Sequence, residues 1–223
     1  MIREDYILRL VRKYAQMVAR IVGQNHAREY RNALQTIDQA SMQLLSLNIG
    51  SVIRLSPGQL LAILLDGHDP AECRARCTLL VTLLQQAGIA HAAENRPAES
   101  RVAYLQALHI LLEVLPRRDG VVLPEFAPAI EDLVSVAREK GLPAETQTAL
   151  MLYYEQTGQY ARAEDCLYAM LEDEPENPGI VDMGIELYER LQQQDDAVLS
   201  AGNLPRDEVN DGLIEMRKFK RRP

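Results

Sequence analysis

The chain is poor in aromatic residues and in strand-forming patterns, and both deficits bear on its fold class. It has no tryptophan and only two phenylalanines among 223 residues. Alternating apolar residues between paired turns, the signature of β-hairpins, are nearly absent. Leucine, alanine, glutamate, glutamine and arginine dominate instead, and these residues favour helices. We therefore expect an all-α protein.

Cysteines and long apolar runs are also scarce. Three cysteines are an odd and sparse set that does not suggest a disulfide framework. No secretory signal pattern opens the sequence, so we expect a reducing, cytoplasmic location. The longest apolar run, residues 60–65, is far shorter than the roughly 20 residues that a membrane-spanning helix needs. We expect no transmembrane segment.

Motifs that carry catalysis or metal binding are missing. The sequence has no glycine-rich phosphate loop, no G-x-S-x-G and no H-E-x-x-H. His91 and Glu94 are spaced as a metal pair could be on a helix, but no second pair accompanies them. His68, Cys73 and Cys77 could supply three zinc ligands, whereas a structural zinc site usually has four. We interpret the cysteines as buried, reduced thiols and expect no enzymatic activity, no cofactor and no metal.

Charge is distributed unevenly along the chain. The net charge of −8 combines +4 over residues 1–31, −17 over 32–216 and +5 over 217–222. An acidic body argues against broad nucleic-acid binding by the body. Three interpretations of the basic C-terminal cluster remain open: a solvated tail, contact with nucleic acid or an anionic membrane, or docking on the acidic body of the same or a neighbouring subunit.

Prolines and glycines divide the chain into about ten expected helices. Proline favours the first helical position, and glycines such as Gly23 and Gly158 favour helix ends. The expected helices lie at about 4–22, 26–49, 57–66, 70–92, 97–115, 124–140, 144–157, 160–173, 178–193 and 205–219, with a short turn near 195–200. Because the intervening loops are short, consecutive helices should pack as antiparallel neighbours.

The first helix carries a wide apolar stripe. Its apolar residues alternate at spacings of four and three: Ile7, Val11, Tyr14, Val18 and Ile21. Such a stripe must be buried. It either packs on the rest of the chain or forms a dimer seam, since the same spacing occurs in coiled coils. A membrane-surface helix is a weaker alternative.

Residues 144–177 form one 34-residue helix-turn-helix unit. Large, small and turn-forming residues occupy regular offsets within it: Leu150, Tyr154, Gly158, Tyr160, Ala163, Leu167 and Pro175. This segment resembles the tetratricopeptide-repeat (TPR) family, from which Gln147, Met151 and Met170 depart. A basic N-terminal helix followed by TPR-like hairpins also resembles bacterial proteins of unknown function. The resemblance implies antiparallel helical hairpins stacked in a right-handed α-solenoid, preceded by an extra N-terminal amphipathic helix.

The resemblance also implies where a ligand would bind. Members of the family bind peptides on the face formed by the first helix of each hairpin, and that face would here include Glu145, Thr148, Leu152, Glu155, Gln156, Asp182, Glu186 and Glu189. The lysine and asparagine with which some members clamp a peptide carboxylate are missing. Any protein partner should therefore be basic or apolar at the contact.

Together these patterns predict a non-catalytic protein–protein interaction scaffold that forms a homo-oligomer. The first helix is the candidate seam of a homodimer. The expected divisions are 1–50 for packing or oligomerisation, 51–216 for the repeat domain and 217–223 for the basic tail. Two alternatives are a small-ligand sensor or enzyme with a pocket between hairpins, and a nucleic-acid-associated accessory protein that acts through its basic ends.

Overall fold

The described parts of the chain consist of helices and the turns next to them. The computed structural model describes residues 2–67, 70–114, 127–138, 141–175 and 177–220, and only the backbone of residues 2–13, 71 and 114. These ranges contain twelve helices and no strand: α1 Ile2–His26, α2 Tyr30–Leu45, α3 Ile49–Val52, α4 Pro57–Leu65, α5 Pro70–Ala93, α6 Pro97–Val114, α7 Ile130–Ala137, α8 Ala144–Gln156, α9 Tyr160–Asp173, α10 Pro178–Leu191, α11 Asp196–Ala201 and α12 Arg206–Lys220. The all-α prediction is confirmed for these residues.

Helix starts follow local chemistry. Proline is the first residue of α4, α5, α6 and α10, where its missing N–H would have no helical acceptor. At α4, the Ser56 hydroxyl accepts from the Gln59 N–H, and the Gln59 side chain accepts from the Ser56 N–H. The predicted helix at 124–140 is described only as α7, since residues 124–126 and 139–140 lie outside the described ranges. No described helix is both long and apolar enough to cross a bilayer.

The predicted boundary between the first two helices is wrong. Helix α1 continues through Gly23 to His26, and the turn occurs at Arg28, which has a φ of 60°. Asn25 donates to the backbone oxygen and to Oε1 of Gln86, at 3.2 and 2.9 Å, and ties the last turn of α1 to α5. A glycine favours a helix end only where a positive φ is needed, and Gly23 remains helical.

The predicted helix at 26–49 is likewise two elements. Helix α2 ends at Leu45, followed by Ser46 with a φ of 59°. The Asn48 side chain then accepts from the Ser51 N–H at 2.8 Å and starts the short α3. Asparagine is a favoured N-cap because its side-chain oxygen satisfies an N–H that has no helical partner. This cap was missed in the sequence.

The chain divides into two compact units. The N-terminal unit comprises residues 1–116 and 120–141, and the C-terminal unit comprises 117–119 and 142–223. Within the described residues, the first contains α1–α7 and the second contains α8–α12. The division expected from the sequence, at residues 50 and 216, remains a prediction.

Helix α5 is the centre of the N-terminal unit. It packs most extensively on α6 and also contacts α1, α2 and α4. Helices on more than one side bury its leucines, and for this reason α5 is apolar around most of its circumference. The fully buried leucines are Leu79, Leu80, Leu83 and Leu84. Gly88 lets α6 approach closely, since a Cβ there would lie 2.6 Å from the Tyr104 ring.

The C-terminal unit is built from two helical pairs. Helices α8 and α9 pack against each other, α10 packs on both α9 and α12, and α11 contacts α12. Thr148 contacts Met170 while Arg162 contacts Tyr154, so α8 and α9 are antiparallel. Helix α10 runs antiparallel to α9 and therefore parallel to α8, because its Gly184 lies near Leu167 and its Tyr188 bonds Glu164 of α9.

Candidate functional site

The residues predicted for the first helix of the binding face lie on α8. Glu145 and Gln156 are exposed, and Leu152 is half-buried. The Thr148 hydroxyl contacts the Met170 sulfur at 3.3 Å, so it faces α9 as well as solvent. Helix α8 therefore presents one partly exposed leucine between two exposed polar side chains.

Glu155 connects this helix to α10. The Arg190 guanidinium donates from Nε and Nη2 to its two carboxylate oxygens, at 2.7 and 2.8 Å. The Glu155 side chain is only 15% exposed, so this bidentate pair is partly shielded from water. Glu186, one turn earlier on α10, lies 3.8 Å from the same guanidinium. The structure thus brings two of the predicted residues, Glu155 of α8 and Glu186 of α10, to the same arginine.

The remaining predicted residues on α10 pair with the basic end of the chain. Arg217 donates to Glu189 at 2.9 Å, and Lys220 lies 2.8 Å from Asp182. Both cations lie in the last turns of α12. These contacts agree with the alternative in which the basic cluster docks on the acidic body of its own subunit, while residues 221–223 lie outside the described ranges. The surface is consequently less acidic than its sequence suggests.

The predicted oligomer helix contributes to the core of the N-terminal unit. Tyr14, Val18 and Ile21 are buried, and α1 packs on α2 and α5. The side chains of Ile7 and Val11 are outside the described part of the structure. The described half of the stripe therefore packs on the chain itself, as the first interpretation of this helix expects.

The three cysteines are buried thiols. Burial, together with the neighbouring Cys73, raises the pKa of Cys77 to about 12. A thiol with such a pKa carries almost no thiolate at neutral pH and is a poor nucleophile. His68, the third member of the proposed ligand set, lies outside the described ranges, within which no cluster of three metal-ligating side chains occurs.

A network of tyrosines and glutamates joins three helices of the C-terminal unit. The Tyr188 hydroxyl donates to Glu164, and the Tyr168 hydroxyl donates to Glu215 at 2.7 Å. Burial raises the pKa of Glu164, and burial also raises the pKa of Tyr168 to about 12. Because each phenol hydroxyl donates to a carboxylate on another helix, the network holds α9, α10 and α12 together. Sequence reasoning missed it, since its members are 24 and 47 residues apart.

A cleft with a volume of about 440 Å³ lies in the N-terminal unit. Its walls come from α2, α3 and the adjoining turns, the end of α5 and the start of α6. Its lining is Leu34, Asp38, Asn48, Ile49, Gly50, Ile53, Arg54, His91, Arg96, Ala98, Glu99 and Val102. Such a volume is typical of small-molecule sites.

His91 is the most unusual residue of this cleft. It is only 5% exposed, and its Nδ1 is buried without a hydrogen-bond partner in the described structure. Burial, followed by the charge of Arg96, lowers the pKa of His91 from its usual value. The ring is therefore neutral at physiological pH, with one nitrogen that donates and one that accepts. Glu94, its predicted metal-binding companion, instead pairs with Arg31 at 3.4 Å.

The charged groups around His91 have unequal freedom. The Arg96 guanidinium donates to Glu99 Oε1 at 3.0 and 2.9 Å, which neutralises both. Asp38 Oδ1 accepts from the Ile49 N–H at 2.9 Å. Arg54 is exposed and forms no ion pair within the described ranges. The cleft therefore offers one carboxylate and one guanidinium that are not paired with each other.

Comparison with known proteins places the chain in a family without adding a function. No curated protein and no solved structure matches it. A family model described as a family of unknown function, DUF6483, matches residues 1–221. Since this match spans nearly all 223 residues, the chain belongs to the DUF6483 family.

Proposed function

We propose that the protein is a non-catalytic interaction scaffold whose C-terminal unit is a TPR-like pair of helical hairpins. In this proposal α8–α9 is one hairpin and α10–α12 the next, with α11 inserted in the second. The parallel course of α8 and α10 supports this arrangement, because TPR-like stacking sets the first helices of successive hairpins side by side. A cytoplasmic location is part of the same proposal.

One observation carries the proposed function: the bidentate pair between Arg190 and Glu155. It joins the first helices of the two hairpins, so that the predicted face forms a continuous surface instead of two separate helices. Along α8, the half-buried Leu152 lies between the exposed Glu145 and Gln156. An apolar anchor surrounded by polar residues is the usual composition of a protein-binding surface.

The ion pairs on α10 refine the chemistry of the partner. Asp182, Glu186 and Glu189 each have an arginine or lysine nearby, so a basic partner would have to displace Arg217 and Lys220 to reach them. Exposed ion pairs contribute only about 0–1 kcal/mol, so such displacement costs little. We propose that a basic or apolar segment of a protein partner binds across Leu152 and takes over these carboxylates.

Affinity purification of the tagged full-length protein from its native host tests this function. The face variant combines Glu145→Lys and Gln156→Lys, and a control with a slightly larger charge change combines Glu172→Lys and Asp173→Lys at exposed positions of α9. Quantitative mass spectrometry should show a discrete partner that wild type and control retain and the face variant loses. A partner retained equally by all three proteins, or no enriched protein at all, contradicts the proposal.

A further inference from the structure

We propose that the cleft of the N-terminal unit binds a small zwitterion of the α-amino-acid class. The inference rests on the unpaired groups that line the cleft, on their opposite charges and on its volume. It concerns a different unit from the proposed protein-binding surface and does not depend on that function.

His91 lines the cleft and has a ring nitrogen without a hydrogen-bond partner in the described structure. Buried polar atoms in folded proteins are nearly always hydrogen-bonded, and leaving one without a partner is costly. Nδ1 of His91 has no such partner among the described residues, although the ring is 95% shielded from solvent. Nδ1 has almost no solvent-accessible surface, so a ligand in the cleft would bind it only after a small rotation of the ring. A ligand that carries both a donor and an acceptor could then satisfy either neutral tautomer.

Two side chains of opposite charge, Asp38 and Arg54, line the cleft without pairing with each other. Arg96 and Glu99 neutralise each other, whereas Asp38 and Arg54 remain available to a ligand. Asp38 retains a carboxylate oxygen beyond the one that accepts from Ile49, and its negative charge acts on His91. One carboxylate and one guanidinium in the same cleft are complementary to one ammonium and one carboxylate. Because Asp38 is half-buried and Arg54 is exposed, the ligand's ammonium would lie deeper and its carboxylate nearer the mouth.

The cleft also has an apolar wall beside these charged groups. Four aliphatic side chains line the cleft: Leu34, Ile49, Ile53 and Val102. Binding sites for small metabolites typically combine such walls with a few convergent polar groups. A volume of about 440 Å³ leaves room for one amino acid with an apolar side chain, and for ordered water. A simple anion such as phosphate would use Arg54 and leave the aliphatic wall and Asp38 without partners.

Ligand binding to the full-length protein tests the assignment. Thermal unfolding is measured with each proteinogenic amino acid at millimolar concentration, since a ligand that binds the native state raises the unfolding temperature. We expect at least one apolar amino acid to stabilise the protein. Its amide, which lacks the carboxylate, and its N-acetyl derivative, which lacks the ammonium, should each bind about tenfold or more weakly by calorimetry, in line with the loss of a charge-assisted hydrogen bond.

Two variants connect binding to the cleft. Arg54→Gln and Asp38→Asn should each reduce affinity about tenfold or more, because each removes one charged contact. Asp38→Asn keeps the side-chain oxygen that accepts from the Ile49 N–H. Because Arg54 is exposed, Arg54→Gln should fold normally, and its result is decisive even if Asp38→Asn is unstable. Arg74→Gln, at an exposed arginine outside the cleft lining, is the matched control and should bind as wild type does.

Three results would overturn the inference. The first is a panel in which no amino acid stabilises the protein. The second is equal binding of the amino acid, its amide and its N-acetyl derivative, or binding that Arg54→Gln leaves unchanged. The third is stabilisation by inorganic phosphate alone that Arg54→Gln abolishes, since this would make the cleft an anion site.

Discussion

Gly212 is a position at which a single methyl group should disturb the packing of the C-terminal unit. A Cβ at this residue of α12 would lie 2.3 Å from Cζ and 2.5 Å from the hydroxyl oxygen of Tyr188. Favourable contacts between heavy atoms occur at about 3.5–4.0 Å, so the ring would have to move by more than 1 Å. Tyr188 is fully buried and its hydroxyl is bonded to Glu164, which leaves it no free direction in which to move.

The magnitude of the Gly212→Ala effect follows from two opposing contributions. Alanine favours a helix over glycine by about 1 kcal/mol, whereas overpacking a core typically costs about 1–3 kcal/mol. The short distance and the fixed ring favour the upper end of that cost, so we expect a net destabilisation of about 1–2 kcal/mol. For a unit of this size, each kcal/mol lowers the unfolding temperature by roughly 4–8 °C.

Urea unfolding followed by far-ultraviolet circular dichroism measures this effect. Gly23→Ala is the matched control, since Gly23 lies within α1 and a Cβ there would have nothing within 4 Å. This control should stabilise the protein by up to about 1 kcal/mol, because only the helix preference changes. If Gly212→Ala is as stable as wild type, the packing of α10 on α12 described above is incorrect.

Three further predictions concern charge and chemistry. Burial raises the folded-state pKa of Glu164, so the protonated carboxyl stabilises the fold fully below the unfolded pKa near 4.5, and this stabilisation declines as the pH rises through the folded pKa. Glu164→Gln should therefore gain stability relative to wild type as the pH rises above 4.5 in urea titrations. A stability difference that does not change with pH would refute this prediction. Arg190→Ala should cost less than about 1 kcal/mol at low salt, because Arg190 is part-exposed, with a smaller cost at high salt, measured by the same unfolding assay; a cost that does not change with salt would show that the Arg190–Glu155 pair is not electrostatic. The thiols should resist iodoacetamide in the native protein and react fully in urea, as counted by mass spectrometry, and rapid native alkylation of Cys77 would contradict its burial.

Features that depend on local sequence were predictable, as the hairpin of α8 and α9 illustrates. The spacing of large and small residues placed α9 at 160–173, its observed range. Five of the residues that define the 34-residue pattern are buried: Leu150, Tyr154, Tyr160, Ala163 and Leu167. Gly158 has the φ of 75° that a tight turn requires. These features depend on residues within one or two turns of each other, and such short-range patterns are visible in a sequence.

The sites depend on distant residues and were only partly visible. The cleft collects side chains from α2, α3, α5 and α6, and His91 was identified in the sequence only as a possible partner of Glu94. The predicted acidic face was assigned without its counter-ions, because Glu155 and Arg190 are 35 residues apart. Helix packing brings these residues together, and no local pattern encodes it.

Photo-crosslinking in the native host most directly tests the claim that the C-terminal unit binds a protein partner. A photoreactive amino acid replaces Leu152 at the centre of the proposed face, and the control carries it at Asp165, an exposed position of α9. We expect one discrete crosslinked protein from position 152 and none from position 165. Crosslinking at 165 alone, or at neither position, would contradict it.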